Sequence, residues 1–343
     1  MTTPRQLRVV AIGGGTGLST LLRGLKSFVP TSVGASTLVD AALQHLPALI
    51  RELSAIVTVT DDGGSSGRLR EDLQMLPPGD IRNCLVALSQ DEALLSRLFQ
   101  YRFSHGDLDG HSFGNLFLAA LSDITGDFAQ AVQMSSQILA ARGRIYPATN
   151  TDVTLTALMD DGSIVHGETS ITASPHRILE LKLVPADAKP LPATLEAIAN
   201  ADLITLGPGS LYTSLVTNLL VRGIPEAIAA SRATRVYVGN LMTQANESLG
   251  LTASQHIEKI LQHCATNGSR IFDYALINTA PISPTLLEKY ARGDQAPIVP
   301  DLDRIRALGV EPISGDFAQE GSLLRHDPDR VTQALLALAL NRP

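Results

Sequence analysis

Five short apolar runs, each rich in β-branched residues and each ending in a loop of Gly, Asp or Asn, set what this chain can fold into. Val9–Ile12 leads into Gly-Gly-Gly-Thr-Gly, Ile56–Thr60 into Asp-Asp-Gly-Gly-Ser-Ser-Gly, and Leu203–Leu206 into Gly-Pro-Gly-Ser. Val236–Val238 leads into Gly-Asn and Tyr274–Ile277 into Asn-Thr-Ala. Unbroken apolar runs of this length suit strands buried on both faces. Helical patterns such as Leu18–Leu25 and Leu211–Leu220 stand between them. The order predicts an α/β fold of the Rossmann-like, doubly wound kind with a mostly parallel sheet. One stretch departs from it: Val153–Met159, Asp160-Asp161-Gly162 and Ser163–Ser170 read as a β-hairpin on an Asp-Gly turn. A small antiparallel β element over residues 151–185 is therefore expected inside one domain spanning residues 1–343, with the Pro-rich Lys182–Pro192 as the return linker. Residues 31–48 read as an insertion between the first helix and the second strand, and Val331–Leu340 as a closing helix.

Composition narrows the function. With 343 residues, 44% apolar and 18% charged, the chain can bury a sizeable core. A net charge of -7, no Trp and 4% aromatic residues argue against nucleic acid as a partner, since phosphate backbones call for cations and bases for stacking surfaces. A single small anion is still accommodated by loop amides and a few Arg. Cys84 and Cys264 stand far apart with no C-x-x-C and read as core residues in a reducing compartment. The start of the chain has no signal-peptide pattern, and no apolar run approaches the ~20 residues of a membrane span. Cytoplasm is the expected location. The oligomeric state is left open, a homo-oligomer included.

The loops carry the chemistry. Gly14, Gly15, Thr16 and Gly17 follow the first strand and open a helix, where backbone amides face an anion and glycines allow close approach; neither a full G-x-G-x-x-G from Gly13 nor a Gly-Lys-Ser/Thr is present. Asp61 and Asp62 follow the second strand as adjacent carboxylates, tolerated best beside a metal, a ribose hydroxyl or Arg; an Asx-turn with a helix cap is the other reading. Ser65 and Ser66 with their flanking glycines offer amides and hydroxyls to phosphate, and Arg68 and Arg70 are placed to offset charge. Asp80 reads as the N-cap of a helix at Cys84–Leu88, with Arg82 and Asn83 in its first turn; a cation there works against the helix dipole and calls for a partner such as Asp61, Asp62 or a ligand anion. His111 and Asn115, in a polar loop, are ligand-contact candidates, and their spacing matches no common zinc or EF-hand pattern. Gly209 and Ser210, with Thr213, form a second anion cradle, and Asn240 can read a base or sugar. His166-Gly167-Glu168 lies on the hairpin and reads as exposed, and no Ser-His-Asp or Cys-His arrangement is legible.

Taken together, the blocks GGGTGLSTLLRGLK, TVTDDGGSSGRLR, PPGDIRNCLVALS, GHSFGNLFLAAL, LITLGPGSLYTSL and YVGNLMTQ resemble those of the YvcK-like gluconeogenesis-factor family, in a superfamily with the 2-phospho-L-lactate transferase CofD. The resemblance runs from about Val9 to about Arg330. It implies a Rossmann-like fold, a cytoplasmic protein, binding of UDP-sugars such as UDP-N-acetylglucosamine, and a regulatory role in cell shape and envelope growth on gluconeogenic carbon, with a protein partner there. By this analogy Thr16 lies in the nucleotide-sugar cradle, and Tyr290 and Arg325 match ligand-binding positions, Tyr to stack on uracil and Arg to pair with diphosphate. The transferase relatives carry Asp at the strand end matching Asp61 and Asp62, where Mg²⁺ assists phosphoryl transfer; a Mg²⁺-dependent phosphotransferase is therefore the alternative, with Mg²⁺ the one cofactor implied. The incomplete glycine motif and the lack of a proton donor place a nicotinamide oxidoreductase behind both.

Overall fold

The computed structural model describes residues 4–30, 48–90, 94–264 and 270–341. Seven strands form one sheet: β1 Arg5–Gly13, β2 Ala48–Val57, β3 Arg144–Pro147, β7 Leu203–Leu206, β8 Thr234–Val238, β9 Tyr274–Asn278 and β10 Glu311–Gly315. Their spatial order is β10-β9-β8-β7-β1-β2-β3, and every pairing is parallel. The chain builds outward from β1 to β3, returns to the far side of β1, and builds outward again. The strand order therefore switches direction between β1 and β7, where doubly wound folds leave a crevice at the strand C-termini.

Burial explains which strands the sequence reveals. Leu7 and Val9 through Ile12 in β1, and all of β7, are buried, so they read as unbroken apolar runs. The second strand begins earlier and ends sooner than Ile56–Thr60: Arg51 and Glu52 are exposed mid-strand and interrupt the pattern, and the ladder stops at Val57. β3 and β10 were not anticipated. They are the two edges of the sheet, and their sequences, RIYP and EPISG, carry Pro where an edge tolerates a missing N–H.

The antiparallel element has three strands, β4 Thr154–Met159, β5 Ile164–His166 and β6 Ile178–Val184, in the order β5-β4-β6. The turn falls at Asp160–Gly162, as expected, with Gly162 at φ 84°. Two boundaries need correction. The strand meant to reach Ser170 stops at His166 and gives way to a helix, Glu168–Ala173, and Lys182 through Val184 belong to β6 rather than to a linker. The inner face of this element (Leu155, Ala157, Met159, Ile171, Leu181) is buried in the same core as the large sheet.

Helices flank the sheet. Gly15–Lys26 follows β1 and packs against the closing helix Pro328–Leu340. Gly64–Leu73 and Gly79–Leu88 follow β2, and Phe113–Thr125 comes after the polar loop, so Asn115 is helical rather than in the loop. Cys84 is a buried core residue and Cys264 only partly buried, and both are free thiols whose pKa burial raises. Among the described residues no helix is long and apolar enough to cross a membrane. The stretch read as an insertion lies, as far as residue 47, outside the described residues.

Candidate functional site

The loops leaving β1, β7 and β8 meet at the switch point. Gly17 makes this possible: a Cβ there would lie 2.3 Å from the Pro208 carbonyl oxygen, so only glycine lets the two loops touch. The Asn240 amide closes the third side, its Nδ2 donating to the Gly209 carbonyl at 2.8 Å. Between them is a cavity of about 200 Å³ that gathers Thr16, Gly17, Gly209, Ser210 and Asn240 with Tyr290 and Arg325 from much later in the chain. Tyr290 is held by its hydroxyl, which accepts from the Leu324 amide at 2.9 Å, and Arg325 is exposed at the mouth. His326 beside it was not anticipated; burial pushes its pKa down to about 4, and its Nε2 lies 3.0 Å from the Gly239 carbonyl.

The helices at this edge begin without side-chain caps. Gly14 starts Gly15–Lys26 and Gly63 starts Gly64–Leu73, each with no side-chain bond from the capping residue itself and no acidic residue in the first turn, although the buried Asp80 carboxyl accepts from the Gly15 amide. By contrast, Ser112, Asp127, Thr252 and Asp327 cap helices elsewhere. Uncapped amides at a strand end suit an exogenous anion. The second cradle, at Gly209–Thr213, differs from expectation. Thr213, expected to donate to phosphate, gives its amide to Glu247 Oε1 at 2.9 Å, while Glu247 Oε2 is buried with no partner among the described residues and burial raises the carboxyl's pKa. Ser210 Oγ accepts from Gln244 Nε2 at 2.9 Å.

Beyond β2 the polar residues form a second region, tied largely to one another. Ser65 Oγ is 3.1 Å from His111 Nδ1 and accepts from Asn115 Nδ2 at 3.1 Å. His111 is buried, and desolvation lowers its pKa. Arg82 donates to Ser112 Oγ at 2.6 Å, Asn115 Oδ1 at 3.2 Å and Asn83 Oδ1 at 2.9 Å; burial and then Arg102 lower its pKa, against Asp80 and Asp61, which favour its charge. Ser66 packs against Gly79, where a Cβ would meet Ser66 Oγ at 2.5 Å and Asp61 Oδ2 at 2.7 Å. Arg68 and Arg70, expected to neutralise a phosphate, are engaged within the protein: Arg68 reaches the Asp109 carbonyl and Arg70 pairs with Asp152.

The aspartate pair splits in role. Asp61 forms the Asx-turn, accepting from the Gly63 amide at 3.0 Å. Asp62 caps the helix Glu168–Ala173, accepting from the Glu168 amide, the Thr169 amide and the Thr169 hydroxyl at 2.8, 2.8 and 2.6 Å. With both oxygens engaged, Asp62 is poorly placed as a metal ligand, a correction to pairing it with Asp61. Asp61 instead acts on two carboxyls that the sequence placed elsewhere, Asp80 and Glu168. Asp80 is not the N-cap, which is Pro78. Its side chain lies under the first glycine loop, where a Cβ on Gly14 would be 2.6 Å from Asp80 Oδ2. Burial and the Asp61 charge push its pKa up to about 7, against a hydrogen bond from the Gly15 amide. Glu168, expected to be exposed, is turned inward by the Asp62 cap and accepts from the Thr60 hydroxyl at 3.2 Å; burial, then Asp61, Asp80 and Glu247, push its pKa up to about 9. These contacts span about a hundred residues, so no local spacing announces them. Among the described residues, the one compact cluster of metal-ligand side chains is Asp160, Asp161 and His176, exposed at the hairpin turn.

Comparison with known proteins agrees with this architecture. Residues 9–318 match the family described as 2-phospho-L-lactate transferase CofD. The chain is 48% identical over 334 residues to the gluconeogenesis factor of Halalkalibacterium halodurans, covering 97% of this chain and 96% of that one. It is 44% identical over 333 residues to the gluconeogenesis factor of Bacillus subtilis, covering 96% and 98%. A crystal structure of a UPF0052-family protein from Bacillus halodurans superposes with a TM-score of 0.87 at 47% identity, covering 97% of this chain and 99% of that one. The chain belongs to the CofD family, among relatives named gluconeogenesis factors.

Proposed function

We propose that this protein is a gluconeogenesis factor acting as a cytoplasmic regulator, which binds a UDP-sugar such as UDP-N-acetylglucosamine and passes its occupancy to a protein partner in envelope growth and cell shape. The observation that carries the reading is the cavity at the β1/β7 switch point, where two glycine-rich loops, Asn240, Tyr290 and Arg325 converge beside the start of a helix. That combination suits a diphosphate: amides and a guanidinium for the oxygens, and an aromatic wall for an attached ring. Calorimetric titration with UDP-N-acetylglucosamine tests it. Saturable binding with the ligand recovered intact is the expected result, and no heat at millimolar ligand contradicts it.

One observation favours a second reading, Mg²⁺-dependent phosphotransfer. Burial first, and then the Asp61 charge, push the carboxyls of Asp80 and Glu168 up to about 7 and about 9, so Glu168 holds a proton at neutral pH that a divalent cation could replace. Asp61, which accepts only from the Gly63 amide, is freer to meet such an ion than Asp62, whose two oxygens are engaged by Glu168 and Thr169. Bound there, Mg²⁺ would supply charge neutralisation at a diphosphate. Mg²⁺-dependent release of a nucleoside mono- or diphosphate, abolished in Asp61→Asn, is the outcome that favours this reading over the first.

A further inference from the structure

A cavity of about 400 Å³ lies at the other end of the sheet from the cradle, where the helices Gly15–Lys26 and Gly79–Leu88 end and β3 begins. Its walls include Arg51 and Glu52 of β2, Arg142 and Arg144 around the start of β3, and the neutral polar side chains of Ser54 and Gln90. Three guanidiniums and one carboxylate leave a charge of +2, in a chain whose net charge is -7. The turn that delivers Arg142 and Arg144 is tightly held. After the helix Phe128–Ile138 the chain passes through Ala140 at φ 46°, a left-handed conformation that glycine takes more readily than alanine. Gly143 then lies against β2, where a Cβ would come within 3.0 Å of the Leu53 carbonyl oxygen, so Arg142 and Arg144 flank the contact. The helix ends nearby do not need these cations: Lys26 Nζ donates to the Ser89 carbonyl at 3.1 Å, and the Arg142 amide to the Leu88 carbonyl at 2.8 Å. Arg51 pairs with Glu52 at 3.3 Å, whereas the half-buried Arg142 side chain has no hydrogen-bond or ion-pair partner among the described residues, and its Nε is shut off from solvent as well. A partly desolvated guanidinium on a concave wall is costly unless an anion meets it.

We infer that this cavity is a binding site for a small dianion, a phosphate monoester or a dicarboxylate, with Arg142 as its anchoring cation and Arg144 and Arg51 meeting the second charge. Two residual positive charges match two negative ones, and guanidinium forks suit the paired oxygens of both kinds of ligand. A cavity of this size holds a small molecule. It shares no residue with the cradle cavity and stands independently of the nucleotide reading.

Calorimetric titration of the full chain at low ionic strength with glycerol 3-phosphate, succinate and acetate tests this. At least one of the two dianions should bind saturably at millimolar concentration or below, and acetate about tenfold more weakly or worse. Arg142→Gln should weaken the dianion by about tenfold or more, and Arg144→Gln, at an exposed position, severalfold. Arg177→Gln, which removes the same charge from the exposed hairpin, and Arg325→Ala, at the cradle, should leave it unchanged. Binding of glycerol 3-phosphate alone assigns the site to phosphate esters, binding of succinate alone to dicarboxylates, and binding of both to paired charge; each supports the inference. No saturable binding of either dianion overturns it. So does binding that is undiminished in both Arg142→Gln and Arg144→Gln, or that Arg177→Gln or Arg325→Ala weakens as much as Arg142→Gln does.

Discussion

The two sides of β1 use similar loops to opposite ends. Toward β7 and β8, the glycine turns leave room, and the polar side chains line an open cavity. Toward β2, an equally glycine-rich loop is drawn into the protein. There Asp62 is spent on capping Glu168–Ala173, Ser65 on His111 and Asn115, and Arg82 on Ser112, Asn115 and Asn83. What remains on that side is a group of neighbouring carboxyls, Asp61, Asp80 and Glu168, the last two pushed toward their protonated forms by burial and by the Asp61 charge. A glycine-rich strand end is therefore a site only where its neighbours leave its donors free, and residue type alone does not distinguish the two cases.

The sharpest way to break the comparison is at the loop contact. Gly17→Ala places a methyl 2.3 Å from the Pro208 carbonyl, and backbone cannot yield cheaply there. Overpacking of this kind costs about 3 kcal/mol, and thermal unfolding should show a fall of several degrees together with loss of nucleotide binding. Next in size is Arg325→Ala. The side chain is exposed, so unfolding should be unchanged, while the loss of charge-assisted bonds to a diphosphate should weaken binding by roughly tenfold or more.

On the acidic side the expected effects run through pH. Glu168 binds its proton up to about pH 9 when folded, against 4.5 in its ordinary state, so the folded protein holds the extra proton. Its contribution to stability is full below pH 4.5 and is lost as pH rises toward 9. Melting temperature should fall between pH 6 and 9, and Glu168→Gln, which stays neutral, should flatten that fall; an identical slope in the variant contradicts the burial of this carboxyl. The smallest effect is expected at Asp62→Asn. One cap weakens, at about 1 kcal/mol, and nucleotide affinity should not move.

Much of the fold was legible because buried parallel strands and their loops are local patterns. Five runs named five of the seven strands, and the Asp-Gly turn marked the hairpin. The edges, RIYP and EPISG, were not, because a strand paired on one side needs neither an apolar run nor every N–H. The same limit governs the candidate site. Thr16, Gly17, Gly209, Ser210 and Asn240 were visible as loop residues, whereas Tyr290 and Arg325 came through family resemblance and no local pattern. Asp80, Glu168 and Glu247 were missed as site residues because their meaning lies in burial and in partners far along the chain. Asp80 shows it best: the sequence around it is that of a helix start, and only the fold reveals that its carboxyl lies under Gly14.

The central claim is that the cradle side, and not the carboxylate side, holds the diphosphate. Titration of UDP-N-acetylglucosamine into the wild type, Arg325→Ala and Asp61→Asn, in chelator and without added metal, tests it most directly. The account predicts saturable binding to the wild type, a loss of about tenfold in Arg325→Ala, and unchanged affinity in Asp61→Asn. Binding that is lost in Asp61→Asn and kept in Arg325→Ala would contradict it and move the ligand to the other side of β1.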